Sequence, residues 1–237
     1  MSERPDGSPA PVSHSISRDD CAAIERTIAR YGASSAVEVG MAYGISTLAI
    51  ADALSRNGSA RLVSIDPHQS EGWKGAGMHL LRRAGLGEVV ELIEEPSQLA
   101  LPRLAARGER FDFAFIDGWH TFDHTLVDFF YCDWMLEPGG VVMLDDVSYP
   151  AIGRVVRFIL ANRDYEMVDM TQHDDTTSPN LRFRRSVKRF LRPLARTDHD
   201  PSPANERLFR GIDDRAVVVA LRKRGNDARR FDHFEPF

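Results

Sequence analysis

Short apolar segments alternate along this chain with longer segments whose apolar residues recur at helical spacing. The apolar segments carry few charges and are bounded by Gly, Pro, Asp or Ser, which is typical of strands buried on both faces. Strands that alternate with helices predict an α/β fold with a parallel sheet. The predicted strands are residues 36–40, 61–66, 89–93, 111–117, 141–144, 165–170 and 216–221. The predicted helices are residues 17–30, 45–54, 78–84, 97–106, 121–135 and 152–161.

The pattern indicates one domain with two irregular segments. A chain of 237 residues, 43% of them hydrophobic, is long enough to bury a full core. Residues 1–17 contain Pro, Ser and Gly without an apolar core, so we expect a flexible tail and no signal peptide. Residues 18–237 form the domain. Within it, residues 171–212 break the alternation with His, Asp, Pro, Ser and many Arg, which predicts a basic insert before the last strand.

Charge and cysteine content narrow the partners and the compartment. The net charge of -5 gives no general reason to expect nucleic-acid binding. Cys21 and Cys132 are too few for a disulfide framework and lack metal-ligand spacing, so we expect reduced thiols in the cytoplasm. No apolar run approaches the roughly 20 residues that span a bilayer. We therefore expect a soluble protein, and we expect a homo-oligomer.

Two glycines flank the turn after the first predicted strand. Gly40 and Gly44 lack side chains, which permits close backbone approach to a ligand beyond the carboxyl ends of the strands. Their G-x-x-x-G spacing differs from the G-x-G-x-x-G of dinucleotide binders and favours a ligand without phosphates. Asp66 closes the second strand, where its carboxylate can accept hydrogen bonds from both hydroxyls of a ribose. Together these residues predict a nucleoside site, although any α/β domain has glycines and acids at strand ends.

With these motifs, the chain resembles the class I S-adenosylmethionine-dependent methyltransferases over about residues 20–170 and the final strand. The closest likenesses are the catechol O-methyltransferases and the bacterial macrolide-sugar O-methyltransferases. The resemblance implies a Rossmann-like fold, a mostly parallel seven-stranded sheet whose last strand is antiparallel. It also implies methyl transfer from S-adenosyl-L-methionine to a hydroxyl group of a small molecule or oligosaccharide.

The resemblance also favours some methyl acceptors over others. A sugar, glycoside or natural-product hydroxyl is favoured over a phenol or catechol, because a double acid and a histidine resemble the sugar-modifying relatives. A phenol or catechol stays the alternative. A non-catalytic module that only binds the nucleoside is a further alternative, while the glycine spacing disfavours a nicotinamide-dependent oxidoreductase.

The resemblance assigns residues to the methionine and ribose parts of the cofactor. In these families, the residues matching Glu38, Gly40 and Ser46 line the methionine end. The acid matching Asp66 holds the ribose. Tyr43 falls one place later than the aromatic residue of the catechol-type turn, and we include it among the cofactor-binding residues on that basis.

The adenine side follows from the same resemblance. Ser97 and Gln98 match polar groups beside the base, and Trp119 matches an aromatic residue that packs near it. Asp117 also counts among the cofactor-binding positions. Alternatively, Ser97 caps a helix with Gln98 in its first turn, and Trp119 belongs to the core.

Three carboxylates end two of the predicted strands. Asp117 and Asp145 each follow an apolar run and Asp146 comes next, so all three lie on the same rim of the sheet. They would repel one another without a cation between them. An all-oxygen set favours Mg²⁺, although the catechol-type enzymes commonly have Asn where Asp146 stands, which leaves Ca²⁺ or Mn²⁺ open. Alternatively, Asp146 caps the following loop and Asp117 contacts only the cofactor.

A histidine beside these acids is the candidate catalytic base. An alcohol holds its proton tightly near pH 7, so methyl transfer needs a base, and a divalent cation would assist by lowering the pKa of the alcohol. His120 lies three residues after Asp117, where the catechol enzymes place a lysine, and imidazole titrates near neutrality. His124 is the reserve candidate. Alternatively, His120 caps the helix that follows.

The basic insert has no assigned chemistry. Residues 181–196 carry seven Lys or Arg residues and no acid, interleaved with apolar residues. The simplest interpretation is a solvated basic face. The functional alternatives are a lid over the acceptor, a clamp for an anionic substrate, or contact with a membrane surface. The position between the last two strands favours the lid, and membrane contact is the least favoured.

Overall fold

The computed structural model describes residues 2–10, 15–58, 60–172 and 216–237. Strand β1 (Ser2–Glu3) pairs with β2 (Pro9–Ala10) in a small antiparallel hairpin near the start of the chain. Flexibility of residues 1–17 stays a prediction, but part of that segment has regular structure. Seven further strands form one sheet. They are β3 (Ser35–Val39), β4 (Arg61–Ile65), β5 (Val90–Ile93), β6 (Phe111–Ile116), β7 (Leu136–Leu144), β8 (Tyr165–Gln172) and β9 (Ala216–Lys223).

The order of strands in this sheet is β5-β4-β3-β6-β7-β9-β8. Strand β9 runs antiparallel to β7 and β8, and the other strands run parallel, which confirms the predicted fold class. The register places Val39 beside Ile116, and Ile116 beside Leu144. The carboxyl ends of β3, β6 and β7 therefore meet at one level of the sheet, where the chain continues into Gly40, Asp117 and the Asp145 pair.

Helices cover both faces of the sheet. They are α1 (Arg18–Tyr31), α2 (Ile45–Arg56), α3 (Ala76–Arg83), α4 (Ser97–Ala106), α5 (Phe122–Met135) and α6 (Pro150–Asn162), with a 3₁₀ turn at Gly87–Val89. Side chains alternate between faces along a strand, so Ala36 packs with α1 to α3 while its neighbour Val37 packs with α4 to α6. Two apolar layers result, one on each side of the sheet.

The predicted helix start at Ser17 is confirmed. Its hydroxyl oxygen accepts a hydrogen bond from the Asp20 backbone N–H at 3.2 Å, as an N-cap does. A hydrogen bond connects the same helix to β8: the Thr171 hydroxyl donates to the Asp20 carboxylate. Residues 173–212 of the predicted basic insert lie outside the described residues. None of the described helices is both long and apolar enough to cross a membrane.

One strand begins earlier than the sequence pattern predicts. A strand was expected at residues 141–144, but β7 begins at Leu136 and runs to Leu144. The register shifts between Phe111 and Phe113, which oppose Leu136 and Val141. Gly140 permits this bulge, because a Cβ atom there would lie 2.7 Å from the Asp112 carbonyl oxygen.

Candidate active site

The glycine turn after β3 is shaped by contacts within the protein. Gly40 has φ +94°, and a Cβ atom on it would lie 2.0 Å from the carbonyl oxygen of Asp117. Gly44 has φ +79°, and a Cβ atom there would lie 2.8 Å from the Cα of Gly77. The sequence pattern located the turn correctly. The close approach that these glycines allow is to the backbone after β6 and to the start of α3.

Asp66, at the end of β4, holds this turn. Its Oδ2 accepts hydrogen bonds from the backbone N–H groups of Met41 (3.2 Å) and Ala42 (2.8 Å) and from Nε2 of Gln69 (3.2 Å). Its Oδ1 accepts one, from the His68 N–H at 2.8 Å. Three protein donors saturate Oδ2, so capacity for a ribose hydroxyl is left on Oδ1 only. The ribose role of Asp66 stays a prediction, restricted to one oxygen.

Glu38 lies fully buried beneath the turn. Its Oε1 accepts a hydrogen bond from the Ser46 hydroxyl at 2.7 Å, and its Oε2 accepts from Thr47 at 2.7 Å and Ser64 at 2.5 Å. Burial raises the pKa of Glu38 to about 7, although the three hydroxyls stabilise the charged form. The Glu38 carboxylate and the Ser46 hydroxyl thus form a hydrogen bond with each other beneath the turn.

A cavity of about 670 Å³ opens beside the turn. Its walls come from the carboxyl ends of β3, β4 and β6 and from the start of α4. Six of the predicted cofactor-binding residues line it, namely Gly40, Asp66, Ser97, Gln98, Asp117 and Trp119. Glu38, Tyr43 and Ser46 are buried and do not line it. Tyr43 packs behind Trp73, which does line the cavity, and the centroids of the two rings are 5.0 Å apart.

The structure disfavours the non-binding alternatives for two of the adenine-side residues. Ser97 is the first residue of α4, but the N-cap is Pro96 and no side chain caps the helix. Trp119 is 66% exposed at the cavity, so it is not a core residue. The exposed ring of Trp119 is therefore available to a ligand, whereas the Ser97 side chain interacts with Asp128 of α5. The contacts of both residues with a cofactor stay predictions.

His120 lies between two of the predicted metal ligands. Its Nε2 is 3.3 Å from Oδ1 of Asp117, and its Nδ1 is 3.3 Å from Oδ2 of Asp146. The hydrogen bond to Asp117 and the charges of both acids raise the pKa of the imidazole. The pKa of Asp117 is raised by burial, with the Asp146 charge adding to it. His120 is not the cap of α5, because the N-cap residue is Thr121.

Among the described residues, the side chains able to share a cation are Asp117, His120 and Asp146, whose ligand atoms lie within 4.8 Å of one another. Asp145 was predicted in this set, but it lies deeper, with Oδ1 accepting the Asp146 backbone N–H at 2.7 Å. Burial, aided by the charges of Asp117 and Asp146, raises the pKa of Asp145 to about 9. The converging group thus contains the predicted base, while Asp145 as a ligand stays a prediction.

The rim around His120 is aromatic and polar. The ring of Tyr149 lies 5.5 Å from the imidazole of His120 at a tilt of 33°, and Tyr149 is 47% exposed. Asp146 has φ +53°, and its carbonyl oxygen accepts the Tyr149 N–H at 2.9 Å, which closes the turn that presents both residues. His124, the reserve base, lines the cavity, with its Nδ1 2.9 Å from the Thr121 hydroxyl.

Comparison with known proteins decides the family of this region. Residues 37–147 match a family model described as a methyltransferase domain. These residues form a methyltransferase domain. They contain the glycine turn, the cavity walls at β4, α4 and β6, and the Asp117, His120 and Asp146 group. No curated protein sequence matches the chain.

Solved structures share the fold of the methyltransferase domain at low sequence identity. Cofactor-bound Rv0187 from MTB is 17% identical with a TM-score of 0.63, covering 90% of this chain and 84% of its own. The O-methyltransferase from Bacillus cereus, in complex with SAH, is 20% identical with a TM-score of 0.54, covering 89% and 84%. The O-methyltransferase TomG from Streptomyces achromogenes, in complex with SAM, is 21% identical with a TM-score of 0.52, covering 87% and 80%.

The methyltransferase domain contains two buried polar residues that the sequence analysis missed. Gln69 lies in the loop after β4 and contacts the glycine turn. Asp128 lies in α5 at 1% exposure, with the Ser97 side chain close enough to stabilise its charged form. Burial raises the pKa of Asp128 to about 6. An acid at an inward position of an apolar helix is a signal that could have identified Asp128. Gln69 lies in a polar loop, where no comparable sequence signal distinguishes it.

Proposed function

We propose that this protein transfers a methyl group from S-adenosylmethionine to a hydroxyl group of an acceptor, with assistance from a divalent cation. The observation that carries the proposal is the position of His120, which lies between two carboxylates on the wall of a cavity that begins at the glycine turn. A proton acceptor beside a nucleoside-sized cavity suits transfer from the cofactor to an oxygen. TomG with SAM and the Bacillus cereus enzyme with SAH support the cofactor by analogy.

The cavity suits this cofactor in size and polarity. A volume of about 670 Å³ lies within the range of small-molecule sites. Oδ1 of Asp66 can accept a ribose hydroxyl, and the exposed face of Trp119 can stack on a base. Ser97 and Gln98 supply polar groups on the same wall. The methionine end would then lie toward Asp117 and His120.

The donor set fits a divalent cation. Two carboxylates, from Asp117 and Asp146, approach the same imidazole, and their mutual repulsion favours a positive charge between them. Carboxylates suit Mg²⁺, Ca²⁺ or Mn²⁺, and the imidazole of His120 stays available as the base. A bound divalent cation supplies Lewis acidity, which makes a neighbouring hydroxyl easier to deprotonate.

His120 would take the proton of the acceptor. Because both ring nitrogens face carboxylates, one nitrogen must exchange its carboxylate contact for the hydroxyl before it can accept a proton. The acceptor oxygen then forms a bond to the methyl carbon while the bond from sulfur to that carbon breaks, leaving S-adenosylhomocysteine. Asp117 or Asp146 stabilises the imidazolium that results.

The favoured acceptor is a hydroxyl of a sugar, glycoside or other natural product. The exposed Trp119 precedes His120 in the chain, and the exposed ring of Tyr149 lies 5.5 Å from the His120 imidazole, so both rings could stack on the apolar face of a sugar. The same rings would stack on a phenol or catechol, which makes that acceptor the second candidate. We place the enzyme in the cytoplasm as a homo-oligomer; Cys21 and Cys132 are both free thiols.

Two measurements test the proposal. Calorimetry should detect binding of S-adenosylhomocysteine and none of NAD, and the reverse result would replace methyl transfer by redox chemistry. Labelled methyl transfer to a panel of sugars and phenols should stop in EDTA and return with Mg²⁺. Cofactor binding without transfer to any acceptor would favour a non-catalytic module.

The metal part of the proposal has a separate test. Asp146→Asn should weaken Mg²⁺ binding, measured by calorimetry, while Asp52→Asn on the exposed side of α2 should leave it unchanged. The reason is that Asp146, unlike Asp52, contributes a ligand atom to the converging group. Full activity in EDTA, or equal Mg²⁺ binding by the two variants, would leave these acids with a role in cofactor binding or structure.

A further inference from the structure

Gln69 lies in the loop between β4 and α3, buried to 1% exposure. Its Nε2 donates to the carbonyl oxygen of Ala42 at 2.7 Å and to Oδ2 of Asp66 at 3.2 Å. Both partners are acceptors only, so the amide nitrogen must face them. The orientation of the side chain is therefore determined by chemistry.

Ala42 has a backbone conformation that side chains other than glycine rarely adopt. Its φ is +46°, in the left-handed region. The N–H of Ala42 donates to Asp66 at 2.8 Å, and its carbonyl oxygen accepts from Gln69. Both polar groups of this strained residue are thus held from the same side, and the residue itself lines the cavity.

The space around Gln69 is full. A Cβ atom on Gly77 of α3 would lie 3.0 Å from Oε1 of Gln69 and 2.7 Å from the sulfur of Met41. Oε1 makes no hydrogen bond with the described part of the chain. Burying an amide whose oxygen has no hydrogen-bond partner costs stability. The favourable contribution of Gln69 therefore comes from the hydrogen bonds that its Nε2 donates to Ala42 and Asp66.

We propose that Gln69 is a positioning residue that holds Ala42 in the left-handed conformation and thereby shapes the cofactor wall of the cavity. The inference rests on the proposed function, because it assumes that the cofactor binds against this turn. Without the Nε2 donor, the peptide after Ala42 is free to leave the strained conformation. The cofactor would then have to restore that conformation when it binds, which weakens its affinity.

A double-mutant cycle tests this role. Gln69→Leu removes the donor at similar volume and should weaken S-adenosylhomocysteine binding roughly tenfold, as expected for losing hydrogen bonds to a buried turn. In the Ala42→Gly background the same change should cost less than about threefold, because glycine adopts positive φ without strain. A role in packing alone would give the same loss in both backgrounds and would overturn the inference. If Gln69→Leu does not fold, Gln69→Met takes its place.

Amide hydrogen exchange separates this inference from the proposed function. In Gln69→Leu without ligand, exchange over residues 40–46 should accelerate roughly tenfold, while peptides of β7 and β9 stay unchanged. In the Ala42→Gly background, Gln69→Leu should accelerate amide exchange over residues 40–46 by a smaller factor. Equal exchange in the wild type and Gln69→Leu overturns the positioning role. A wild type that fails to bind S-adenosylhomocysteine overturns the cofactor assignment, whatever the exchange shows.

Discussion

The buried carboxyl group of Glu38 predicts a pH dependence of stability. It is fully buried beneath the glycine turn, with the hydroxyls of Ser46, Thr47 and Ser64 donating to it. Burial disfavours the charged form more than these hydroxyls favour it, so the pKa rises from the ordinary 4.5 to about 7. The folded protein therefore keeps a proton that the unfolded chain releases.

The sign and size follow from proton linkage. Between pH 4.5 and about 7, the unfolded state binds fewer protons than the folded state, so the free energy of unfolding falls as the pH rises. Each unit of pKa difference corresponds to about 1.4 kcal/mol. Glu38 should therefore stabilise the fold fully below its unfolded pKa and lose about 3 kcal/mol of that contribution by the time the pH passes its folded pKa.

Glu38→Gln isolates this contribution, because glutamine has a similar shape and does not ionise. Urea unfolding from about pH 4.5 to 8 should give a wild-type stability that falls relative to Glu38→Gln by about 3 kcal/mol. Other titrating groups cancel in the difference between the two proteins. Glu166→Gln, at the surface beside Arg222, is the matched control for the same substitution outside the core. A flat difference for Glu38→Gln would refute the reasoning.

Two further predictions concern the turn and the base. Gly40→Ala should lower the melting temperature and abolish S-adenosylhomocysteine binding in calorimetry, because its Cβ would lie 2.0 Å from the carbonyl oxygen of Asp117; unchanged values for both would contradict this packing. His120→Ala should lower turnover by roughly 10²- to 10⁴-fold with cofactor affinity little changed, whereas His124→Ala should keep most of the rate. Asp117 raises the pKa of His120 above the ordinary 6.5, so the wild-type rate should rise with pH through a pKa above that value. If His120→Ala shows the same rise of rate with pH, His120 is not the base.

Much of the site could be located from the sequence, because strand ends are visible in one dimension. Gly40, Asp66, Asp117 and Asp145 each follow an apolar run, and parallel strands bring such positions to one rim. What their side chains do there could not be read in the same way. Asp66 was predicted to face the ribose, but one of its oxygens is taken by the turn. The glycine spacing was correct, and the backbone against which Gly40 packs became visible only in the fold.

The sequence by itself determined the α/β class, the order of strands and helices, and the rim where polar residues gather, because periodicity and turn residues act locally. Only the tertiary structure decided which polar groups meet. His120 contacts Asp146 across 26 residues of chain, while Asp145, adjacent to Asp146, lies buried behind it. Gln69 reaches Ala42 from a loop with no distinguishing pattern. These contacts depend on strand register and on the packing of loops over the sheet, which are set by interactions between distant segments and leave no periodic trace in the sequence.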